Sequence, residues 1–162
     1  MNTKISHPIY HSCCPPSMTK HTYERSFDVK SEKMTDLWNK LNLRNTFVDG
    51  QIFPYKVEFD APQQNGPFAE GELNIHHGPL LSVHGMIGEV NDQYRGLEYF
   101  YGSYVISFRL VRPLRLEFFN ESDKLRLKLT VYVKPWFKPI WKLGNDTFWG
   151  LLGIKFLLTD KD

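Results

Sequence analysis

Apolar and polar residues alternate through most of the chain between His21 and Val133, and one helical repeat interrupts them. "HTYERSFDV" (21–29) puts Tyr23, Arg25, Phe27 and Val29 on one side, the period of two that a strand imposes. In "SEKMTDLWNKL", Met34, Leu37, Trp38 and Leu41 recur at i, i+3, i+4 and i+7, which predicts an amphipathic helix with Ser31 as its cap.

After "NLRNTFVDG" the pattern returns to strands and stays there. "IFPYKVEF" (52–59) alternates, "APQQNGP" is a loop, and "FAEGELNIH" (68–76) and "LLSVHGMIGEV" (80–90) flank Gly78-Pro79. "GLEYFYGSYVISFRLVR" (96–112) reads as one long strand whose even positions are Phe100, Tyr104, Ile106, Phe108 and Leu110. "PLRLEFF" (113–119), the turn "NESDK" and "LRLKLTVYV" (125–133) complete the series. In the last of these, Leu125, Leu127, Leu129, Val131 and Val133 share a face, and Arg126, Lys128, Thr130 and Tyr132 the other. Such alternation indicates an antiparallel sheet with one buried and one wet face.

The end of the chain changes character. "KPWFKPIWKLGNDTFWGLLGIKFLLTDKD" carries two prolines, a cap at Asn145 or Asp146, and then a run that is apolar nearly all round. Gly150 and Gly153 weaken that run as an isolated helix by up to about 1 kcal/mol each, so packing must hold it.

Residues 1–20, rich in Pro, Ser and His, show no period and read as a flexible tail, which leaves a single domain over 21–162. The 15% aromatic content, from 12 Phe, 8 Tyr and 4 Trp, suits a large core or the wall of an apolar cavity. The only cysteines, Cys13 and Cys14, are adjacent and cannot build a disulfide framework. With no signal-like or membrane-spanning run, a cytoplasmic location is expected.

Charge is uneven beneath a net +2. Asp49 to Glu98 holds eight acidic residues against Lys56 and Arg95, and Arg109 to Lys142 nine basic residues against Glu117, Glu121 and Asp123. The basic residues fall on the polar side of the strand pattern, dispersed and without a recognition motif, so nucleic acid is not an expected partner.

"ELNIHHGPLL" (72–81) is the most chemically suggestive stretch. Neighbouring residues of a strand face opposite ways, so His76 and His77 cannot share a metal, and pairing of His77 near Leu80 would put His84 roughly 13 Å off. The stretch reads as a hairpin corner with solvated histidines, and no metal or cofactor is expected. Glu70 and Glu72, on one strand face, read as solvated carboxylates rather than an acid/base pair. There is no G-x-S-x-G and no phosphate loop.

The order strand, helix, antiparallel strands and closing helix resembles the helix-grip fold of the START-related, pollen-allergen-like and polyketide-cyclase-like superfamily, often called SRPBCC. The pieces that match are "HTYERSFDV", "SEKMTDLWNKL", the strands from Ile52 to Val133 and "NDTFWGLLGIKFLL". "YFYGSYVISFRLVRPLRLEFF" and "VKPWFKPIWKLGNDTFWGLLG" are similar to segments of uncharacterised bacterial members. The resemblance implies an α+β domain in which a curved antiparallel sheet of about seven strands wraps a C-terminal helix, with a short helix after the first strand. The family's last helix is typically long and amphipathic, whereas here it is short, glycine-containing and apolar.

The resemblance also implies a pocket between sheet and last helix for a hydrophobic small molecule, lipid, sterol or polyketide-like. Its expected lining is Phe100, Tyr104, Ile106, Phe108, Leu127, Leu129 and Val131 from the sheet, and Phe148, Trp149 and Leu152 from the helix. A cyclase, dehydratase or hydrolase would need a polar group with a shifted pKa in that pocket. Glu98, Tyr101, Tyr104 and Arg109 are the candidates, and Arg25 and Tyr99 join them as polar groups that could line a cavity. A third reading is weak membrane-surface or partner contact through the apolar end beside Lys134, Lys138 and Lys142, since aromatics with lysines make an interfacial anchor.

Overall fold

The computed structural model describes residues 14–49, 56–61, 63, 65–78, 81–103 and 110–153, with 78, 81–82, 100–103 and 151–153 by their backbone alone. The elements are β1 (Thr19–Asp28), α1 (Ser31–Leu41), α2 (Arg44–Asp49), β2 (Lys56–Asp60), β3 (Leu73–Gly78), β4 (Leu81–Val90), β5 (Tyr94–Ser103), β6 (Val111–Asn120), β7 (Lys124–Val133) and α3 (Lys138–Thr147), followed by a π-helical turn, Phe148–Gly153. All strands pair antiparallel in one sheet of order β1-β7-β6-β5-β4-β3-β2. The chain meanders from β2 to β7, and β1 closes the far edge against β7. Irregularities between His84 and Gly85, between Ile87 and Val90, and between Pro113 and Arg115 bend the ladder, so the sheet curves. This is the α+β helix-grip architecture.

The concave face carries the core. One row across it is Arg25, Leu127, Phe118 and Arg95; the next is Tyr23, Leu129, Leu116 and Leu97. α1 lays Met34, Leu37, Trp38 and Leu41 on this face as its spacing predicts, and Trp38 Nε1 donates to Asn91 O at 3.1 Å.

Several expectations are corrected. Ser31 is the first helical residue rather than the cap; Lys30 takes that position without a side-chain bond, its carbonyl receiving the Lys33 and Met34 N–H groups. The long strand expected at 96–112 is two strands running in opposite directions, with Val111 and Arg112 already in β6. Continuous alternation carries no mark of a reversal when both strands are apolar. Inward positions on β5 are therefore odd (Arg95, Leu97, Tyr99), the opposite parity to Phe100. Thr130 and Tyr132, expected on a wet face, are buried, because Met18 and Leu114 cover Tyr132 from the convex side. β1 accordingly starts two residues earlier than its alternation suggests.

The six-residue α2 is too short to show a period. Arg44, at its start, holds it down: the guanidinium forks onto the Glu72 carboxylate, and Nη1 donates to Asn65 O at 2.6 Å. Glu72 is thus a half-buried ion-pair partner rather than a solvated carboxylate. Burial pushes its carboxyl up, but the bonds from Arg44 outweigh this and leave its pKa below the usual value. Glu70 sits in the turn before β3, beside Gly71 at φ +90°, and shares no strand face with Glu72.

Candidate functional site: a cavity under the last helix

α3 starts at Lys138, with Pro139 in its first turn, so Asn145 and Asp146 lie in its last turns instead of capping it. Three groups fix it to β1. Tyr23 Oη donates to Asp146 Oδ1 at 2.8 Å, Arg25 Nη1 donates to Asp146 O at 2.9 Å, and Trp141 packs edge-on against His21 and Tyr23. The π-turn then passes over Arg25 closely enough that a side chain at Gly150 would meet the guanidinium at 3.0 Å. Glycine there permits the crossing.

Between α3 and the sheet lies a cavity of about 280 Å³. Its described lining is Val83 and Tyr99 from β4 and β5, Val111 and Pro113 from β6, Leu129 and Val131 from β7, His76 from β3, and Phe137, Trp141 and Asn145 from one stripe at α3. The last three are four residues apart, the spacing that puts them on one helix face. Asn145 is committed within the helix, its amide donating to Trp141 O and its carbonyl accepting from Trp149 Nε1.

His76 is the residue that sequence reasoning misplaced. The corner is a hairpin, and His76 and His77 do face opposite sides. His77 lies 3.2 Å from Glu58 on the convex face, but His76 points into the cavity, with Tyr99 edge-on at 6.4 Å. Burial, then the charges of Arg95 and His77, lower its pKa to about 4, so the imidazole is neutral at pH 7. It can accept or donate one hydrogen bond, or accept a proton, inside an apolar enclosure. Parity on β3 pointed the other way: Leu73 and Ile75 take the odd positions, yet the even positions face inward, as buried Asn74 shows. The register also differs from expectation, since His77 pairs with Ser82, leaving His84 two positions further along β4, roughly 7 Å. Among the described residues no group of three or more His, Cys, Asp or Glu could hold a metal ion.

The residues of the expected lining fall in different places. Leu129 and Val131 line the cavity. Leu127 is fully buried one row away in the packed core, and Trp149 packs there edge-on to Phe118. Phe148 is 45% exposed and is not among the described residues that line this cavity. Phe100 and Leu152 are described by backbone alone, and Tyr104, Ile106 and Phe108 lie outside the described residues. Of the expected polar groups, Tyr99 lines the cavity, Arg25 binds α3, and Glu98 accepts from Arg115 at 2.6 Å. Tyr101 is described by its backbone alone; Tyr104 and Arg109 lie outside the described residues.

No family model and no curated protein matches this chain. Its fold is shared with solved structures. A truncated norcoclaurine synthase from Thalictrum flavum superposes with a TM-score of 0.60 at 13% identity, over 90% of this chain and 98% of that one. The same enzyme in complex with dopamine and hydroxybenzaldehyde gives 0.57 at 13%, over 87% and 86%. The major latex-like protein 151 of Panax ginseng gives 0.49 at 10%, over 78% and 94%. At such identities the likeness is one of fold.

Proposed function

We propose that this chain binds a hydrophobic small molecule, lipid, sterol or polyketide-like in class, in the cavity beneath α3. The observation that carries this reading is the cavity itself: apolar walls from three strands and a helix, with His76, Tyr99 and Asn145 as the few polar groups. Small-molecule sites are built on that plan, apolar enclosure for affinity and sparse polar groups for orientation. The fold neighbours support it, one being an enzyme solved with two aromatic small molecules. A cytoplasmic carrier or a transforming enzyme would both use this site, and the neutral imidazole of His76 supplies the proton acceptor that the second needs. Native mass spectrometry, followed by analysis of what denaturation releases, tests the reading. A stoichiometric apolar compound, absent when Val131→Trp fills the cavity, is expected. A wild-type chain that arrives empty and takes up no added decanol would overturn it.

The outer side of α3 favours a second reading, contact with a membrane surface. Trp136, Ile140 and Leu143 are 64%, 57% and 68% exposed and lie on one side, among Lys134, Lys138 and Lys142. No described helix is long and apolar enough to cross a membrane, so the contact would be interfacial. Co-sedimentation with phosphatidylserine vesicles should exceed that with phosphatidylcholine vesicles; equal and negligible binding to both would sink it.

A further inference from the structure

Three polar side chains stand in the wall of the cavity, and they differ in what they already hold. Asn145 spends both ends of its amide inside the last helix, donating to Trp141 O and accepting from Trp149 Nε1. Tyr99 packs edge-on to His76. His76 makes no hydrogen bond with any described residue, although a neutral imidazole offers one donor and one acceptor. Its partners across the ladder are Val57 and Val83, neither of which brings a polar side chain. The adjacent histidine differs, since His77 lies 3.2 Å from Glu58 on the other face.

The rest of the wall sets the charge and the size of what can enter. No side chain of the described lining is charged at pH 7, so an ammonium or a carboxylate would leave water without a counter-ion. The space, about 280 Å³, is nearly twice the roughly 150 Å³ that holds benzene, which gives room for one or two rings. Tyr99, Phe137 and Trp141 offer the ring surfaces against which aromatic guests pack well. Water that enters such a place bonds to the imidazole, and a guest that expels it without replacing the bond loses affinity. A hydroxyl replaces it at either ring nitrogen, because it both donates and accepts.

We propose that this cavity selects uncharged alcohols and phenols of one or two rings, with His76 taking their hydroxyl in a hydrogen bond while the rings fill the apolar space under α3. The proposal rests on the cavity reading above and narrows it to one class of ligand, with His76 as the residue that sets the specificity.

Ligands of equal size that exchange hydroxyl for methyl test this in the unmutated protein: 2-naphthol against 2-methylnaphthalene, and 4-propylphenol against 4-propyltoluene, by calorimetry at pH 7. Each phenol should bind about tenfold more tightly than its methyl counterpart, against the order that hydrophobicity alone would give. In His76→Phe both members of each pair should still bind, with the preference reversed. His76→Gln, which keeps a donor and an acceptor, should retain the preference and so separates a lost hydrogen bond from a disturbed fold. Equal affinities within each pair in the wild type would overturn the proposal and leave the cavity reading standing. An undiminished preference in His76→Phe would do the same, as would uptake of decanol with all four ring compounds refused. Refusal of the four and of decanol as well would overturn both.

Discussion

Two helices of nearly equal length lie on the concave face of one sheet, and they meet it in different ways. α1, of 11 residues, buries Met34, Leu37, Trp38 and Leu41 among Ile87, Leu97, Leu116, Phe118 and Leu125. α3, of 10 residues, buries none. Its inward stripe, Phe137, Trp141 and Asn145, faces a cavity, and Ile140 and Leu143 face outward. What holds α3 is polar and local, chiefly Asp146 with Tyr23 and Arg25. The α1 half is packed solid, and the α3 half leaves a cavity. Elements with few buried apolar contacts belong to the less stable part of a fold.

Perturbing the two halves should therefore give unequal effects. The largest belongs to α1: Leu41→Ala removes a fully buried side chain and should lower the unfolding free energy by about 2–5 kcal/mol, measured by urea denaturation. A loss under 1 kcal/mol would mean that this end is as loosely packed as the other.

The next effect is acid sensitivity from the cavity. The folded pKa of His76, about 4, lies below the ordinary 6.5, so between these values the unfolded chain binds more protons than the folded one. Stability should be fully present above pH 6.5 and fall as pH drops towards 4, by up to about 3 kcal/mol from this group. His21, lowered by burial and by Lys138 and Lys142, adds in the same direction. In His76→Gln the slope between pH 6.5 and about 4 should flatten in thermal or urea melts; an unchanged slope would place the proton uptake elsewhere.

Smaller again is the clamp. Asp146→Asn weakens the acceptor for the Tyr23 hydroxyl and removes the charge near Arg25, for about 1 kcal/mol. The Trp141 environment, followed by near-ultraviolet circular dichroism, should respond more than global stability does. The smallest stability effect is expected on the outside of α3. Leu143→Ser, together with Ile140→Ser, should change the unfolding free energy within about 0.5 kcal/mol. The same pair should weaken binding to anionic vesicles several-fold if that face is the contact surface.

Much of the fold could be read from periodicity. The alternation of β7, the helical spacing of α1 and the turn "NESDK" reflect backbone geometry acting over a few residues, and each appears at its expected place. Leu129 and Val131, which repeat every second residue on β7, lie at the cavity wall, whereas Tyr99 did not follow from parity, because the even positions of its strand were expected to face inward. α2 was not legible, because six residues hold too little period. The reversal between β5 and β6 was not, because apolar residues continue on both sides of it.

By itself the sequence determined that a strand, a helix, an antiparallel series and a closing helix follow one another, since those choices are made by neighbours in the chain. It also determined that His76 and His77 face opposite sides, whatever lies on them. Only the tertiary structure decided which side was the interior, because that depends on β5 and α3, tens of residues away. The same long-range packing put the charge of Arg95 among Phe47, Phe68 and Phe118, residues far apart in sequence. It also left the space under α3 open, because volume is set by how distant elements meet.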